Sequence, residues 1–196
     1  ELQTKYSQLV GVPLVTDHQN ARCIAVTGDA AQRAGVVRGL ILQALLLHSP
    51  NELTFAACFD QRDEWAATLW APHLAGGFFV DQADVESALQ ALIGQVRSEA
   101  EVGSPSTPHR LIVLHECAAT ELNLVEELLE LGEHNGLITF IWTGDRIPSR
   151  ATTVIDVTHS EQGKGTVRFP ELGRRHENVQ FDLVGIEAFT VAMRSV

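Results

Sequence analysis

Residues 21–49 read ARCIAVTGDAAQRAGVVRGLILQALLLHS. Residues 22–27 are an apolar run with β-branched members, the pattern of a strand buried on both faces. Gly28-Asp29-Ala30-Ala31-Gln32-Arg33-Ala34-Gly35 then reads as a turn. The sequence after it predicts a helix, with Val36, Val37, Leu40, Ile41, Ala44, Leu45 and Leu47 on a broad apolar face. Strand, glycine-opened turn and helix, in that order, is the layout of a phosphate-binding loop. Such a loop reads G-x-x-x-x-G-K-[ST]: the Lys contacts the β- and γ-phosphates and the hydroxyl holds Mg²⁺. Counted from Gly28, Arg33 stands at the second Gly, Ala34 at the Lys and Gly35 at the Ser or Thr. The layout is that of a nucleotide-hydrolysing core, and the side chains that carry the chemistry are replaced.

Working outward, residues 53–59, 78–80, 111–114, 137–143 and 152–157 read as further strands. A short helix capped by Asp63 carries Trp65, Leu69 and Trp70, and residues 72–77 break it. Two longer amphipathic helices follow, from Asp81 or Asp84 to about residue 100 and over 121–131. Residues 6–15 hold a candidate edge element, because Pro13 cannot donate to a ladder, and 17–20 form a polar turn. Residues 101–109 form a loop rich in Gly, Ser and Pro. Past His159 the character changes to a hairpin-bearing tail, with β-type runs at 166–169 and 179–182 and a last helix over 186–193. Alternating strands and helices predict an α/β fold: a mostly parallel central sheet, helices on both faces, right-handed crossovers. Ligands in such folds bind at the C-terminal strand ends. Those ends are Gly28-Asp29, Asp60-Gln61 and His115-Glu116.

The run Leu111-Ile112-Val113-Leu114-His115-Glu116 has the shape of a Walker B segment. Phosphoryl transfer needs an Asp there for the Mg²⁺ shell, often followed by a Glu that polarises water. His115 takes the Asp place and Glu116 remains, as a vestigial catalytic carboxylate or as an ordinary polar residue at a strand exit. Asp29 inside the turn repels phosphate, and Arg33 supplies a compensating guanidinium. The alternative is that Asp29 and Arg33, four apart, cap the first turn and pair with each other. Nucleotide contact, if made, would run through backbone N–H groups at the helix start.

The 196 residues allow one domain with a real core. A formal net charge of −11 argues against binding to nucleic acid or an acidic membrane surface, both of which need Lys and Arg. The best basic candidate, Arg174-Arg175-His176, is short. Cys23, Cys58 and Cys117 sit in or beside apolar runs without C-x-x-C spacing, as core residues do in a reducing compartment. The eight histidines make no H-x-x-x-H pair, G-x-S-x-G is absent, and no metal site is expected. No signal peptide is read, and no stretch is read as apolar enough to span a bilayer. Trp65 and Trp70 lie five apart, so at most one faces the core squarely. The chain opens at Glu1, which reads as a domain from a longer protein.

The runs Ile24–Asp29 and Leu45–Leu53, the latter holding H-S-P-N-E-L, join Trp70-Ala71-Pro72-His73-Leu74, Gly136–Trp142, Ile147-Pro148 and Thr153–Val157 in one distributed pattern. It resembles the FtsK/SpoIIIE ATPases, and among them the membrane-bound EccC-type ATPase of type VII secretion. The resemblance covers roughly residues 12–157 and is nearest to that protein's degenerate first, membrane-proximal ATPase-like domain. It implies a RecA-like P-loop fold in one domain over residues 1–196, on the cytoplasmic side of a membrane-anchored protein. It implies a structural or regulatory module in the export of small helical proteins. Implied partners are neighbouring ATPase domains and membrane subunits, with the secreted substrate itself a further candidate and oligomerisation confined to the full assembly. The implied site is Gly28, Asp29, Arg33, Ala34 and Gly35 with His115 and Glu116. Without the loop Lys and Walker B Asp, ATP–Mg²⁺ is expected to bind weakly or not at all. Two rival readings are a slow genuine ATPase using Arg33 and Glu116, and a partner-binding module using the former nucleotide cleft.

Overall fold

The computed structural model describes residues 22–59, 62–79, 82–102, 108–116, 122–135, 138–144, 146–158 and 162–196. Strand β1 (Cys23–Gly28) leads into helix α1 (Ala30–Leu47). Then come β2 (Leu53–Phe59), a helical turn at Arg62–Trp65 tightening to 3₁₀ over Ala66–Trp70, and β3 (Leu74–Phe79). Helix α2 (Gln82–Val102), β4 (His109–His115), α3 (Leu122–Asn135), β5 (Ile138–Thr143) and β6 (Thr153–Val157) follow. The chain closes with β7 (Lys164–Phe169), β8 (Arg174–Gln180) and α4 (Ile186–Met193).

One sheet holds these strands in the order β3-β2-β4-β5-β1-β6-β7-β8. The pairings from β3 to β6 are parallel, and β7 and β8 add antiparallel. Strands β1 and β4 are separated by β5, and Val26, Thr143, His115 and Phe59 stand in one row across four strands. Alternation along each strand feeds two cores. Ile24, Val26, Phe55, Phe59, Val113 and Ile155 face α1 and α4. Cys23, Ala25, Cys58, Ile112, Leu114 and Phe140 face α2 and α3. Each large side chain so buried stabilises the fold by about 1.5–3 kcal/mol.

Helix α1 starts earlier than its sequence predicts. Asp29 is the N-cap: its Oδ1 accepts the Gln32 N–H at 3.0 Å and its carbonyl accepts the Arg33 N–H at 2.8 Å. Ala30, Ala31, Gln32, Arg33 and Ala34 are good helix formers, so a capped helix begins there. The turn expected over residues 28–35 shrinks to Gly28-Asp29. Two glycines interrupt α1 where propensity disfavours them, and packing explains both. A Cβ on Gly35 would lie 3.2 Å from Leu183 Cβ, and one on Gly39 would lie 3.3 Å from the Asp182 carbonyl oxygen. The segment Phe181–Gly185 lies across this groove, and the Val184 N–H donates to the Gly35 carbonyl at 3.2 Å. Against expectation, α1 is long and apolar enough by composition to cross a membrane, with mean hydropathy 1.2 over 18 residues. Here half of it is buried inside the domain.

The H-S-P-N-E-L stretch is a self-bonded turn. The Ser49 N–H and hydroxyl both donate to Glu52 Oε2, at 2.9 and 2.8 Å. The His73 ring Nε2 donates to the His48 carbonyl at 2.8 Å, and the Phe55 N–H donates to the His73 carbonyl at 2.7 Å. That anchor starts β3 at Leu74, earlier than the expected 78. Leu47, expected inward, is the last residue of α1 and is exposed. Trp65 is fully buried and Trp70 half-exposed beneath Arg194, as their spacing requires. The tail hairpin forms from β7 and β8, so Arg174-Arg175-His176 lies in an exposed strand. Cys23 and Cys58 are buried in their reduced form, and burial pushes Cys23 up to about 12. Cys117, Asp60-Gln61, residues 6–15, the 17–20 turn and most of the 101–109 loop lie outside the described residues.

Gly28 sits at φ +109°, a region L-residues avoid, because β1 must turn sharply beside β6. A Cβ there would meet Thr158 N and the Val157 carbonyl carbon at 2.6 Å. Gly28→Ala is expected to lower unfolding stability by about 2 kcal/mol or more in urea denaturation. A loss below about 0.5 kcal/mol would refute this packing.

Candidate functional site

The C-terminal ends of β1, β4 and β5 converge beside the first turns of α1. Of the residues the sequence singles out, Arg33, His115 and Glu116 come together there. Arg33 Nη2 lies 2.5 Å from Glu116 Oε1, bridging the gap that β5 opens between β1 and β4. Two strand spacings, about 9.6 Å, suit the combined reach of these long side chains. The approach is off-line for a hydrogen bond: Arg33 Nε and Glu116 Oε1 are both buried without a hydrogen-bond partner. Asp29 caps α1 and does not pair with Arg33. Ala34 points into the apolar core, and Gly35 lies beneath Leu183.

Glu116 has φ +52°, a left-handed conformation that costs a non-glycine residue about 1–2 kcal/mol. Its N–H donates to Thr143 Oγ1 at 3.0 Å, which fixes the turn out of β4. Thr143 Oγ1 also lies 3.0 Å from His115 Nδ1. All three groups are satisfied when the Thr143 hydroxyl donates to Nδ1, leaving the imidazole proton on Nε2. The ring of His115 is buried at 4.8 Å from that of Trp65, which stacks on Phe59 at 4.3 Å. Phe189 of α4 meets Trp65 edge-on at 5.9 Å.

A second arginine enters from α1. Arg38 is buried, with its guanidinium 4.8 Å from the Trp65 ring centre, and donates to Glu64 Oε2 at 3.0 Å. Burial pulls its pKa down from the usual arginine range, and Glu64 opposes the fall. His115 feels both effects. Desolvation first, then the positive charges of Arg33 and Arg38, lower its pKa to about 4, so it is neutral at pH 7.

Sequence reasoning missed Arg38, Glu64, Trp65 and Thr143 as members of this cluster. Thr143 becomes visible once β5 is placed between β1 and β4, which no local pattern shows. Among the described residues no group of three or more His, Cys, Asp or Glu side chains is placed to hold a metal ion.

His115 gives a pH test. Its folded pKa lies below the unfolded value near 6.5, so the unfolded chain binds the proton more tightly. Its contribution is complete above pH ~6.5 and is lost as pH falls toward the folded value near 4. Urea denaturation between pH ~7 and ~4.5 should show a stability loss on the order of 2–3 kcal/mol from this group. The His115→Leu variant should lack that part of the slope; an unchanged slope would rule out a buried neutral His115.

No protein-family model matches the chain, and no curated protein sequence does. Solved structures do. The Thermomonospora curvata EccC structure (ATPases 2 and 3), in complex with a signal sequence peptide, superposes with TM-score 0.68 at 15% identity, covering 87% of this chain and 38% of that one. EssC (ATPases 2 and 3) from Geobacillus thermodenitrificans gives TM-score 0.61 at 12% identity, covering 91% and 44%. The cytoplasmic domain of the Thermomonospora curvata type VII secretion ATPase EccC gives 0.61 at 13%, covering 89% and 25%. The chain thus spans less than half the length of each structure and has the fold of their ATPase domains: a RecA-like α/β core with a mostly parallel sheet.

Proposed function

We propose that this chain is a non-catalytic or barely active ATPase-like domain of a type VII secretion protein, serving as a structural and regulatory module in protein export. The observation that carries the reading is the state of the cleft. Helix α1 begins at Ala30 under its own Asp29 cap, and Arg33 is tied to Glu116 across the strand ends. These residues do not fit ATP–Mg²⁺. The Asp29 carboxylate occupies the helix N-terminus where a phosphate would lie, and its charge repels one. Ala34 and Gly35 provide neither ammonium nor hydroxyl, and both face away from the cleft. His115, neutral and buried against Trp65, is a poor substitute for a carboxylate that holds a metal shell.

The domain would then act by contact, passing a conformational state to neighbouring ATPase domains and membrane subunits on the cytoplasmic face of the membrane. The neighbouring structure solved with a signal sequence peptide supports a place near secreted substrates. One observation favours a second reading, a slow ATPase. Arg33 Nε and Glu116 Oε1 lack hydrogen bonds, so a ligand that supplied them would offset part of the cost of parting the pair.

Calorimetric titration of ATP–Mg²⁺ decides between them. The expected result is no saturable binding up to millimolar nucleotide, in the native chain and in Arg33→Ala alike. Micromolar binding that Arg33→Ala abolishes would overturn the non-catalytic reading, and turnover lost in Glu116→Gln would establish the second.

A further inference from the structure

We infer that the outer edge of β8 is a docking site for an extended acidic peptide segment, which adds to the sheet as a further strand. This edge is separate from the nucleotide cleft and independent of whether ATP binds there. β8 closes the sheet on one side, and among the described residues no strand lies beyond it. Its outward N–H and C=O groups therefore form an open ladder. Edge strands are commonly kept very short, yet β8 runs seven residues. Residues 170–178 are all exposed, with Leu172 at the hairpin tip 64% accessible. This half of the hairpin buries little of its own surface, and a hairpin without such burial is marginally stable.

Charge selects the partner. Residues 164–180 carry four basic against two acidic side chains, whereas the remainder of the chain carries ten against twenty-three. In register, Arg168 stands directly opposite Arg175, an arrangement of like charges that costs stability. Glu177 Oε1 takes up Arg175 at 3.2 Å. Arg168 and Arg174 make no ion pair among the described residues. Arg174 is paired with Phe169, the neighbour of Arg168, so the two unpaired guanidinium groups lie on opposite faces of the hairpin.

This placement suits a strand with adjacent acidic residues. Successive side chains of an added strand point to opposite faces, so two consecutive carboxylates answer both arginines while the main chain pairs with β8. The pairing runs along Arg174–Glu177, because Asn178, at φ +56°, interrupts the extended backbone. The basic strip is about 23 Å long at ~3.3 Å per residue. A bilayer or a nucleic acid would continue past it over acidic surface, where repulsion grows with contact. A second copy would set two arms of the same sign together.

The probe is an acetylated, amidated heptapeptide of threonine and valine around three central glutamates, carrying a fluorophore and titrated into the 196-residue chain at low ionic strength. One saturable site is expected, weakening as salt rises, with amide hydrogen exchange slowed at residues 174–177. The double variant Arg168→Gln, Arg174→Gln should bind about tenfold more weakly at unchanged melting temperature, and the peptide with glutamines for glutamates should lose as much. Should the double variant fail to fold, Arg174→Gln alone makes the same test. The peptide N-methylated at its three central amides keeps its charge and should not bind. No saturable site leaves the arginines as guards against aggregation and overturns the inference. Undiminished binding by the double variant or by the N-methylated peptide overturns it as well. So does tighter binding to phosphatidylglycerol vesicles or oligothymidylate than to the peptide.

Discussion

Strand β1 has no free side, and the rest of the domain is arranged around that enclosure. Its backbone is paired with β5 on one edge and β6 on the other. Its side chains alternate into two separate cores, with Cys23, Ala25 and Val26 wholly inaccessible. A strand buried this way must be small, apolar and fully hydrogen-bonded, and it can offer chemistry at one place, its exit. Gly28 and Asp29 occupy that exit, one for its positive φ and the other for its capping oxygen.

The charges beside that exit balance in pairs. Two arginines from α1 meet two glutamates from other elements, and the histidine among them is kept neutral. Thr143 links backbone and ring, fixing both the strained Glu116 and the tautomer of His115. Pairs of this kind seldom add much net stability over apolar replacements, but removing one member leaves a buried charge that is costly. The cluster is therefore better suited to holding strand ends in a defined relation than to exchanging ligands. The aromatic series Phe189, Trp65, His115 extends that relation to the C-terminal helix.

Much of the architecture was legible in the residues. Buried strands at 53–59 and 138–143 announce themselves as largely apolar runs, and α4 matches its expected bounds of 186–193. The departures have local causes. An eight-residue turn was read where Gly28 suggested a loop, yet Ala30, Ala31 and Gln32 after an Asp cap favour helix, and helix won. β3 begins four residues before 78 because a histidine ring and a backbone bond from β2 anchor it, neither visible in a linear pattern. Of the candidate site, Arg33, His115 and Glu116 were found because each lies next to a strand end or helix start. Arg38 and Thr143 were not, since their relevance depends on strand order and on which face of α1 meets Trp65.

The glycine groove of α1 has a consequence for the order in which the chain matures. Arg38 donates to the Val184 carbonyl at 3.4 Å, a contact made across 146 residues of sequence. Loop closure over such a separation is slow relative to helix formation. During synthesis α1 is complete long before residues 181–193 leave the ribosome, and until then its groove and the pocket for Phe189 stay uncovered. A nascent chain thus displays an apolar helix of spanning length until residues 181–193 emerge. Residues 181–193 are what withdraws that helix from chaperones and translocation machinery, so a segment made well over a hundred residues later decides whether α1 is read as core or as membrane.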